Sequence, residues 1–383
     1  MKEKRVFFSL ILKEIGMKKR YALTILTIIL LVSVLFSVFS FQFKESDIPM
    51  NIILFIGDGM GVSQVTTARI YRHPMHLERL KTMGLLTTYS NNRFKTDSAA
   101  AGTALATGYK TDNGVIAQSP DGEKFQTIAE YAKTIGKSSG VVASTGITHA
   151  TPASFLAHKD SRGSQAEIAE QIAAMNFDVL FGAGWGYFVP ATVEGSLRND
   201  EKDLLEVMRM KMQVVINTDD FETLEDEPAA ALLERTNYFP KAMDNPKISL
   251  ADMTRKALQI LSKNNKGFFL MVEGSQMDWG GHSNDVNYIM TEMLAFDDAI
   301  GIAMDFAEKN GKTLVIVTAD HETGGLTLLN GSFTEQTLTE YHFSTTGHTA
   351  EMVPVFSYGP SASLFGGIQD NTEIGKKMFE LWK

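Results

Sequence analysis

The sequence predicts an α/β protein, a three-layer αβα sandwich with a large, mostly parallel central sheet covered by helices on both faces. From residue 50 onward, short apolar runs suited to buried strands recur along the chain. Segments with helical spacing separate them, and this alternation is typical of a parallel sheet that is buried on both faces. The composition agrees, because 44% hydrophobic and 21% charged residues are ordinary for a globular protein.

The predicted elements follow one another along a single unit. The predicted strands are Asn51–Ile56, Gly140–Ser144, Phe268–Val272, Thr313–Thr318 and Val353–Tyr358. The predicted helices are Lys124–Ile135, Gln165–Met175, Ser249–Ser262 and Met290–Glu308. Residues 190–246 are richer in charge and proline, which indicates a surface insertion. We therefore expect one domain over residues 44–383.

The N-terminal part of the chain predicts export. Residues 21–43 carry no charge, and 17 of the 23 are apolar, so the segment is long enough to cross a bilayer as a helix. Residues 1–20 form a basic head that predicts a cytoplasmic N-terminus. The segment is either an uncleaved signal anchor, which its length favours, or a cleaved signal peptide. Both alternatives place residues 44–383 in the periplasm or outside the cell, anchored to the membrane if the segment is retained.

Charge and cysteine content exclude several classes of function. The net charge of −9 combines +5 over residues 1–43 with −14 over the remaining 340 residues, so we expect no nucleic-acid-binding surface. The chain has no cysteine, which excludes thiolate catalysis, iron–sulfur clusters, cysteine-bound zinc and disulfides. Any transition metal must therefore be held by histidines and carboxylates.

Metal-ligand side chains follow three of the predicted strands. They are Asp58 after the first strand, Glu273, Asp278 and His282 after the third, and Asp320 and His321 after the fourth. In open parallel sheets, chemistry gathers at the carboxyl ends of the strands. Asp58 alone also fits a glycine-rich turn, and Asp320 with His321 also fits a cap or salt bridge. Glu273 directly follows five apolar residues, where burial is costly without a positive partner.

Three further motifs carry groups that could act on an anion. Ser98 begins a run of small residues typical of a tightly packed helix start, where the helix field favours a bound phosphate, although an N-cap serine is the common alternative. Arg162 is a candidate fork for an oxyanion, or else a surface salt bridge. His149 follows the second predicted strand, and His348 lies in a turn before the last one.

The order of these segments resembles that of the alkaline phosphatases over residues 50–383. The similar strings are NIILFIGDGMG, TDSAAAGTALATGYKTDNGVI, HATPASFLAH with the Ser-Arg beyond it, VEGSQMDWGGH, TLVIVTADHETGG and TTGHTAEMVPVFSYGP. The resemblance implies a phosphomonoesterase with two zinc ions and one magnesium ion per chain. It also implies that phosphate is released in two in-line steps through a phosphoserine, and that the chain forms a homodimer.

The resemblance also implies a role for each matched residue. Ser98 would be the nucleophile, and Arg162 would clamp the phosphate oxygens. One zinc would bind Asp278, His282 and His348. The other zinc would bind Asp58, Asp320 and His321. Magnesium would share Asp58 and bind Thr151 and Glu273, with His149 near its water shell. His149 and Trp279, which would lie at the substrate, stand where some members carry Asp and Lys, so the identity of the third metal is open.

Rival functions differ at identifiable residues. Phosphodiesterases and nucleotide pyrophosphatases of the same superfamily usually carry a threonine nucleophile and lack the third-metal residues, whereas this chain has Ser98, Thr151 and Glu273. A sulfatase needs a Cys or Ser in a C/S-x-P-x-R context, which the residues after Ser98 do not provide. A non-catalytic phosphate-binding or metal-storage protein would need no nucleophile. The sequence therefore predicts a phosphomonoesterase and leaves its natural substrate open.

Overall fold

A computed structural model describes residues 48–225 and 227–383. Its strands are β1 (Asn51–Gly57), β2 (Thr82–Thr87), β3 (Ser138–Gly146), β4 (Val179–Ala183), β5 (Gln213–Val215), β6 (Ala229–Leu232), β7 (Phe268–Gly274), β8 (Thr313–Thr318), β9 (Leu326–Ser332), β10 (Thr337–Phe343), β11 (Val353–Tyr358) and β12 (Gly367–Asp370). Its α-helices are α1 (Val62–Tyr71), α2 (Ser98–Thr107), α3 (Ile128–Thr134), α4 (Ala150–Leu156), α5 (Gln165–Ala174), α6 (Leu204–Arg209), α7 (Leu250–Leu261), α8 (Gln276–His282), α9 (Val286–Asn310) and α10 (Thr372–Trp382).

The central sheet has ten strands in the order β12-β2-β11-β8-β1-β7-β3-β4-β6-β5. Strand β11 is antiparallel to both of its neighbours, and the other pairs in this sheet are parallel. Every residue of β1, β3, β7 and β8 is buried, which explains their nearly continuous apolar sequences. The predicted α/β class with a large, mostly parallel sheet is confirmed. Strands β9 and β10 form a separate hairpin.

Helix caps account for the largest differences from the predicted helix bounds. Helix α3 begins later than expected because Thr127 caps it, accepting a hydrogen bond from the Glu130 backbone N–H while the Glu130 side chain accepts one from the Thr127 N–H. Helix α9 begins earlier than expected because Asp285 accepts hydrogen bonds from the N–H groups of Asn287 and Tyr288.

The segment 190–246 was expected at the surface, and part of it instead joins the sheet. Strand β6 is buried and pairs with β4 and β5, so the segment extends one edge of the sheet. Three of the four residues of β6 are alanines, which have a low strand propensity, and this explains why the sequence pattern did not indicate a strand. Beyond β6 the chain returns to the carboxyl end of β3, where Thr145 bridges to Tyr238.

The predicted membrane segment, residues 21–43, and the basic head before it lie outside the described residues. Within the part of the chain that the structure describes, no helix combines the length and the apolar character needed to cross a bilayer.

Candidate active site

Three adjacent strands bring their carboxylates to one edge of the sheet. Strand β1 lies between β7 and β8 and is parallel to both, with Ile56 in register with Glu273 on one side and with Thr318 on the other. Asp58 and Asp320 each lie two residues beyond that level, on neighbouring strand ends. The fully buried carboxylates of Asp58, Glu273 and Asp320 therefore share the carboxyl edge.

A glycine lets the next helix approach this edge. Gly59 has φ of +74°, and a Cβ built on it would lie 2.7 Å from the Cα of Asp278. Any side chain at this position would push α8 away from β1. Because α8 begins directly after β7, it carries Asp278 and His282 on one face, one turn apart, as the spacing of four residues predicts.

The first ligand group consists of Asp278, His282 and His348. The Nε2 atoms of His282 and His348 lie 3.4 and 3.5 Å from the two carboxylate oxygens of Asp278. Each imidazole directs Nδ1 at a backbone carbonyl, His282 at Thr346 (2.6 Å) and His348 at Thr96 (3.0 Å). These contacts place a proton on Nδ1, so Nε2 is the atom of each ring that faces Asp278 and would bind a metal.

Two further ligand groups share Asp58. One consists of Asp58, Asp320 and His321, with His321 Nε2 3.2 Å from Asp320 Oδ2 and 3.6 Å from Asp58 Oδ1. The other consists of Asp58, His149 and Glu273. In each group the ligand atoms lie within 4.8 Å of one another. The hydroxyl of Thr151 is also buried and has no hydrogen-bond partner among the described residues.

The hydrogen bonding at these groups fits bound cations. Among the described residues, both carboxylate oxygens of Asp58, both of Glu273 and Oδ2 of Asp320 are buried without a hydrogen-bond partner. Leaving such groups unpaired costs several kcal/mol in a protein interior. A carboxylate cluster of this kind requires compensating positive charge, which divalent metal ions provide.

Burial and mutual repulsion change the pKa values of these carboxyl groups. Burial raises the pKa of Glu273 to about 8 and that of Asp320 to about 6, and nearby carboxylates add to both effects. Burial, followed by the charges of Asp320 and Asp278, holds the pKa of Asp58 well above its usual value. Without a cation, the cluster therefore favours protonated carboxyl groups.

The histidines divide into two kinds. Burial lowers the pKa of His149, His321 and His348 to about 4, so these imidazoles are neutral near pH 7 and suited to bind a metal. The hydrogen bond to Asp278 raises the pKa of His282 to about 9. Burial alone would raise the pKa of Asp278, but the hydrogen bond from His282 and the charges that the three imidazoles carry at low pH lower it well below its usual value.

Ser98 and Arg162 lie against the ligand groups. Ser98 is the first residue of α2, it is buried, and its Oγ is 3.3 Å from His321 Nε2. The N-cap alternative for Ser98 is wrong, because the cap is Asp97, which accepts a hydrogen bond from the Ala100 N–H. Asp97 also pairs with Arg162 at 3.0 Å, and the other Arg162 nitrogen is 3.3 Å from His149 Nε2. Arg162 is thus held at the site rather than in a remote surface salt bridge.

Two positioning residues, Asp97 and Thr323, are not predicted from the sequence, and neither is the membership of His149 in a ligand group. Asp97 was missed as a cap and as the partner of Arg162, although its place directly before a small-residue helix is a cap signal. Thr323 donates from Oγ1 to Asp278 Oδ1 at 2.5 Å and lies 3.2 Å from His321 Nδ1, and no local pattern indicates this. His149 is predicted from the resemblance to lie near the magnesium water shell and at the substrate, and in the structure it also belongs to a ligand group.

A serine and an arginine lie at this sheet edge beside carboxylate and imidazole ligands. This arrangement places the protein among the metal-dependent hydrolases. The chain matches the family model described as alkaline phosphatase over residues 49–337 and 329–383. It is 34% identical to alkaline phosphatase 3 of Bacillus subtilis over 86% of this chain and 88% of that protein. It is 31% identical to the alkaline phosphatase of Escherichia coli over 86% and 85% of the two chains.

Solved structures agree with the sequence comparisons. The alkaline phosphatase from the Antarctic bacterium TAB5 superimposes with a TM-score of 0.80 at 39% identity, covering 88% of this chain and 98% of that one. A variant of that enzyme with Mg bound in its M3 site gives a TM-score of 0.79 at the same identity and coverage. The chain belongs to the alkaline phosphatase family. It is a metal-binding phosphoric monoester hydrolase.

Proposed function

We propose that the chain hydrolyses phosphate monoesters through a phosphoserine on Ser98, using two zinc ions and one magnesium ion. The observation that carries this proposal is the position of Ser98 Oγ against His321, which belongs to one of the two ligand groups that share Asp58. At the start of α2, Ser98 also experiences the positive field of the helix N-terminus and its free N–H groups, which favour an anion.

The donor types support the metal assignment. Asp278, His282 and His348 would hold one zinc, and Asp58, Asp320 and His321 the other, because mixed imidazole and carboxylate donors suit zinc. Asp58, Glu273 and Thr151 supply the oxygen donors that magnesium prefers, with His149 beside them. When bound, the ions lower the pKa of nearby hydroxyls and neutralise charge that develops on the reacting oxygens.

Arg162 and Ser98 would carry the two steps on the protein side. The guanidinium, oriented by Asp97, hydrogen-bonds two non-bridging phosphate oxygens. Ser98 Oγ loses its proton to solvent and attacks phosphorus in line, the bond from phosphorus to the alcohol oxygen breaks, and the alcohol takes up a proton and leaves. Water then attacks phosphorus from the side opposite Oγ, the bond to Oγ breaks, the water proton is lost to solvent while Oγ regains one, and inorganic phosphate leaves. Two inversions give net retention at phosphorus.

No separate general base is required in this scheme. The imidazole of His321 is the ring nearest to Ser98 Oγ, but it belongs to a ligand group, and burial lowers its pKa to about 4. Serine is a weak nucleophile at its ordinary pKa. Ser98 would therefore be activated by the cation that the neighbouring ligand group would hold.

The test compares p-nitrophenyl phosphate with bis-p-nitrophenyl phosphate near pH 9, with Zn²⁺ and Mg²⁺ and then with a chelator. We expect a strong preference for the monoester that the chelator abolishes, and two zinc ions and one magnesium ion per chain by elemental analysis. A preference for the diester would instead indicate a phosphodiesterase. Ser98→Ala should lose more than 99% of turnover and all acid-stable phosphoprotein while it retains zinc; retention of the phosphoprotein would remove Ser98 as the nucleophile.

We also propose that the protein acts outside the cytoplasm, anchored through residues 21–43 if they are retained, and as a homodimer. The basic head before an uncharged apolar segment supports export, and the resemblance to the family supports the dimer. Cell fractionation with an alkaline wash and N-terminal sequencing test the location and the anchor, and sedimentation tests the dimer. A cytoplasmic or monomeric protein would contradict the respective part.

A further inference from the structure

An aromatic row leads outward from the proposed phosphate clamp. His149, which touches Arg162, lies edge-on to Trp279 with ring centroids 6.5 Å apart. Trp279 in turn lies 5.1 Å from Tyr238. The row therefore begins where the phosphate would be held and ends at a tyrosine that is 73% exposed.

A pocket of about 370 Å³ lies along the outer part of this row. Its lining includes Tyr238, Lys241, Trp279 and the proposed zinc ligand His282. This volume lies within the usual range for sites that bind small organic molecules. Because His282 belongs both to the first ligand group and to the pocket wall, a phosphate bound at the metals would extend its alcohol part into this space.

The exposed tyrosine is rigidly held through its backbone. Thr145 Oγ1 donates to the Asn237 carbonyl at 2.8 Å, and Gln276 Nε2 donates to the Phe239 carbonyl at 3.0 Å. Asn237 also packs so closely on β3 that a Cβ built on Gly146 would lie 2.0 Å from its amide oxygen. The ring of Tyr238 is thus presented to solvent beside Trp279 from a fixed segment of chain.

The pocket lining is rich in aromatic side chains. No carboxylate is among the residues that line it. Lys241 places its ammonium 4.2 Å from the centroid of the Tyr288 ring, and among residues 48–225 and 227–383 no carboxylate lies within 4.0 Å of that ammonium. The pocket therefore presents aromatic faces and the Lys241 ammonium, and the charges of Glu292, Asp244 and Asp285 add to burial in raising the pKa of Tyr288.

We propose that this pocket binds the alcohol part of the substrate and selects phosphate monoesters whose alcohol part carries a planar aromatic ring, with Tyr238 as a specificity-determining residue. This inference rests on the proposed function, because it requires the phosphate to be held at Ser98 and Arg162. A flat ring stacks on the faces of Tyr238 and Trp279, whereas a polyol offers no comparable surface. Aryl phosphates and nucleoside monophosphates share the required ring.

The experiment measures kcat/KM of the metal-loaded protein for phenyl phosphate, adenosine 5′-monophosphate and glycerol 3-phosphate. Each variant is compared with the wild type on the same substrate, so the intrinsic reactivity of the ester cancels. We expect Tyr238→Ala to lower kcat/KM about fivefold or more for at least one aromatic ester and to leave glycerol 3-phosphate within twofold, as the loss of one stacking contact predicts. A loss on the nucleotide alone would identify nucleoside phosphates, and a loss on the phenyl ester alone would identify aryl phosphates.

Three controls separate this proposal from other causes. Tyr238→Phe keeps the ring and should keep the preference. Tyr109→Ala removes another exposed tyrosine, stacked on Phe125 at 4.9 Å beyond the far end of α2, and should change nothing. Inhibition by inorganic phosphate should be equal in Tyr238→Ala and the wild type, because the phosphate contacts are intact.

Equal kcat/KM changes on all three esters, or no change on any, would overturn the aromatic subsite. In that case the wild type would still hydrolyse the monoesters, so the proposed function would stand. Failure of the wild type to hydrolyse any of the three would instead overturn the proposed function itself.

Discussion

Two sets of buried carboxylates in this protein differ in how the fold satisfies their oxygens. The sheet-edge carboxylates, Asp58, Glu273 and Asp320, leave five of their six oxygens without a hydrogen-bond partner among the described residues. The partnered carboxylates, Glu322 and Asp297, are also buried. Their partners are as follows: Glu322 accepts from Gln64, Gly325, Leu326 and Thr349, and Asp297 accepts from the N–H groups of His76 and Leu77 and from Arg72.

Burial alone does not distinguish a functional carboxylate from a structural one. Glu322 lies two residues beyond Asp320 and is nearly as buried, yet its oxygens are satisfied by the protein itself. The sheet-edge carboxylates are satisfied only when something outside the chain supplies positive charge. The two sets should therefore respond in opposite ways to the same carboxylate-to-amide substitution.

The largest effect is expected for Asp58→Asn. Asp58 belongs to two ligand groups, so the variant should lose at least one metal ion per chain and lower kcat/KM by about 10³-fold or more. In a chelator it should be at least as stable as the wild type, because one buried repelling charge is gone. Elemental analysis, monoester kinetics and urea unfolding measure these quantities. Full metal content in the variant would contradict the assignment of Asp58.

Metal removal should make stability depend on pH. Burial raises the pKa of Asp320 to about 6 and that of Glu273 to about 8, above unfolded values near 4. A group with a raised folded pKa contributes stability that is complete below the unfolded pKa and is lost as the pH rises through the folded pKa. The metal-free protein should therefore lose several kcal/mol of unfolding free energy between about pH 4 and pH 8. The metal-loaded protein is the control, and an equal loss of stability in it would contradict the prediction.

Glu322→Gln should weaken the fold and leave the metals in place. The amide keeps one acceptor oxygen, but its NH₂ group would face either the Gln64 amide, which donates to Oε1, or the Thr349 hydroxyl, which donates to Oε2. We expect a loss of about 2 kcal/mol in unfolding free energy, measured in urea. Metal content should equal that of the wild type. Loss of zinc without loss of stability would place Glu322 with the sheet-edge carboxylates.

The smallest effect is expected for a substitution of Glu292, a carboxylate that is intermediate between the two sets. It lines a cavity of about 260 Å³, accepts one hydrogen bond from the Ala242 N–H at 2.7 Å, and has its pKa raised to about 7 by burial. Its charged form therefore destabilises the fold as the pH rises through about 7. The stability advantage of Glu292→Gln over the wild type should be about 1 kcal/mol larger at pH 9 than at pH 6. Thermal unfolding at both pH values measures this, and a gain at pH 6 alone would contradict it.

Local patterns were sufficient for the fold class and for most ligand types. Buried runs such as Thr313–Thr318 became strands with the expected bounds, and Asp278 and His282 lie one turn apart on a helix as their spacing predicted. The strand Ala229–Leu232 was missed because alanine carries almost no strand signal. Its place in the sheet depends on pairing with β4, a segment about 50 residues earlier in the chain.

The sequence by itself determined that the protein is α/β and that metal-ligand residues, a serine and an arginine follow particular elements. It could do so because strand and helix periodicity and caps are local properties of the chain. Only the tertiary structure decided that Asp58 serves two ligand groups, that Asp97 orients Arg162 and that Tyr238 lies beside Trp279. These relations depend on distances between residues that are far apart in the chain, and such distances exist only once the sheet has assembled.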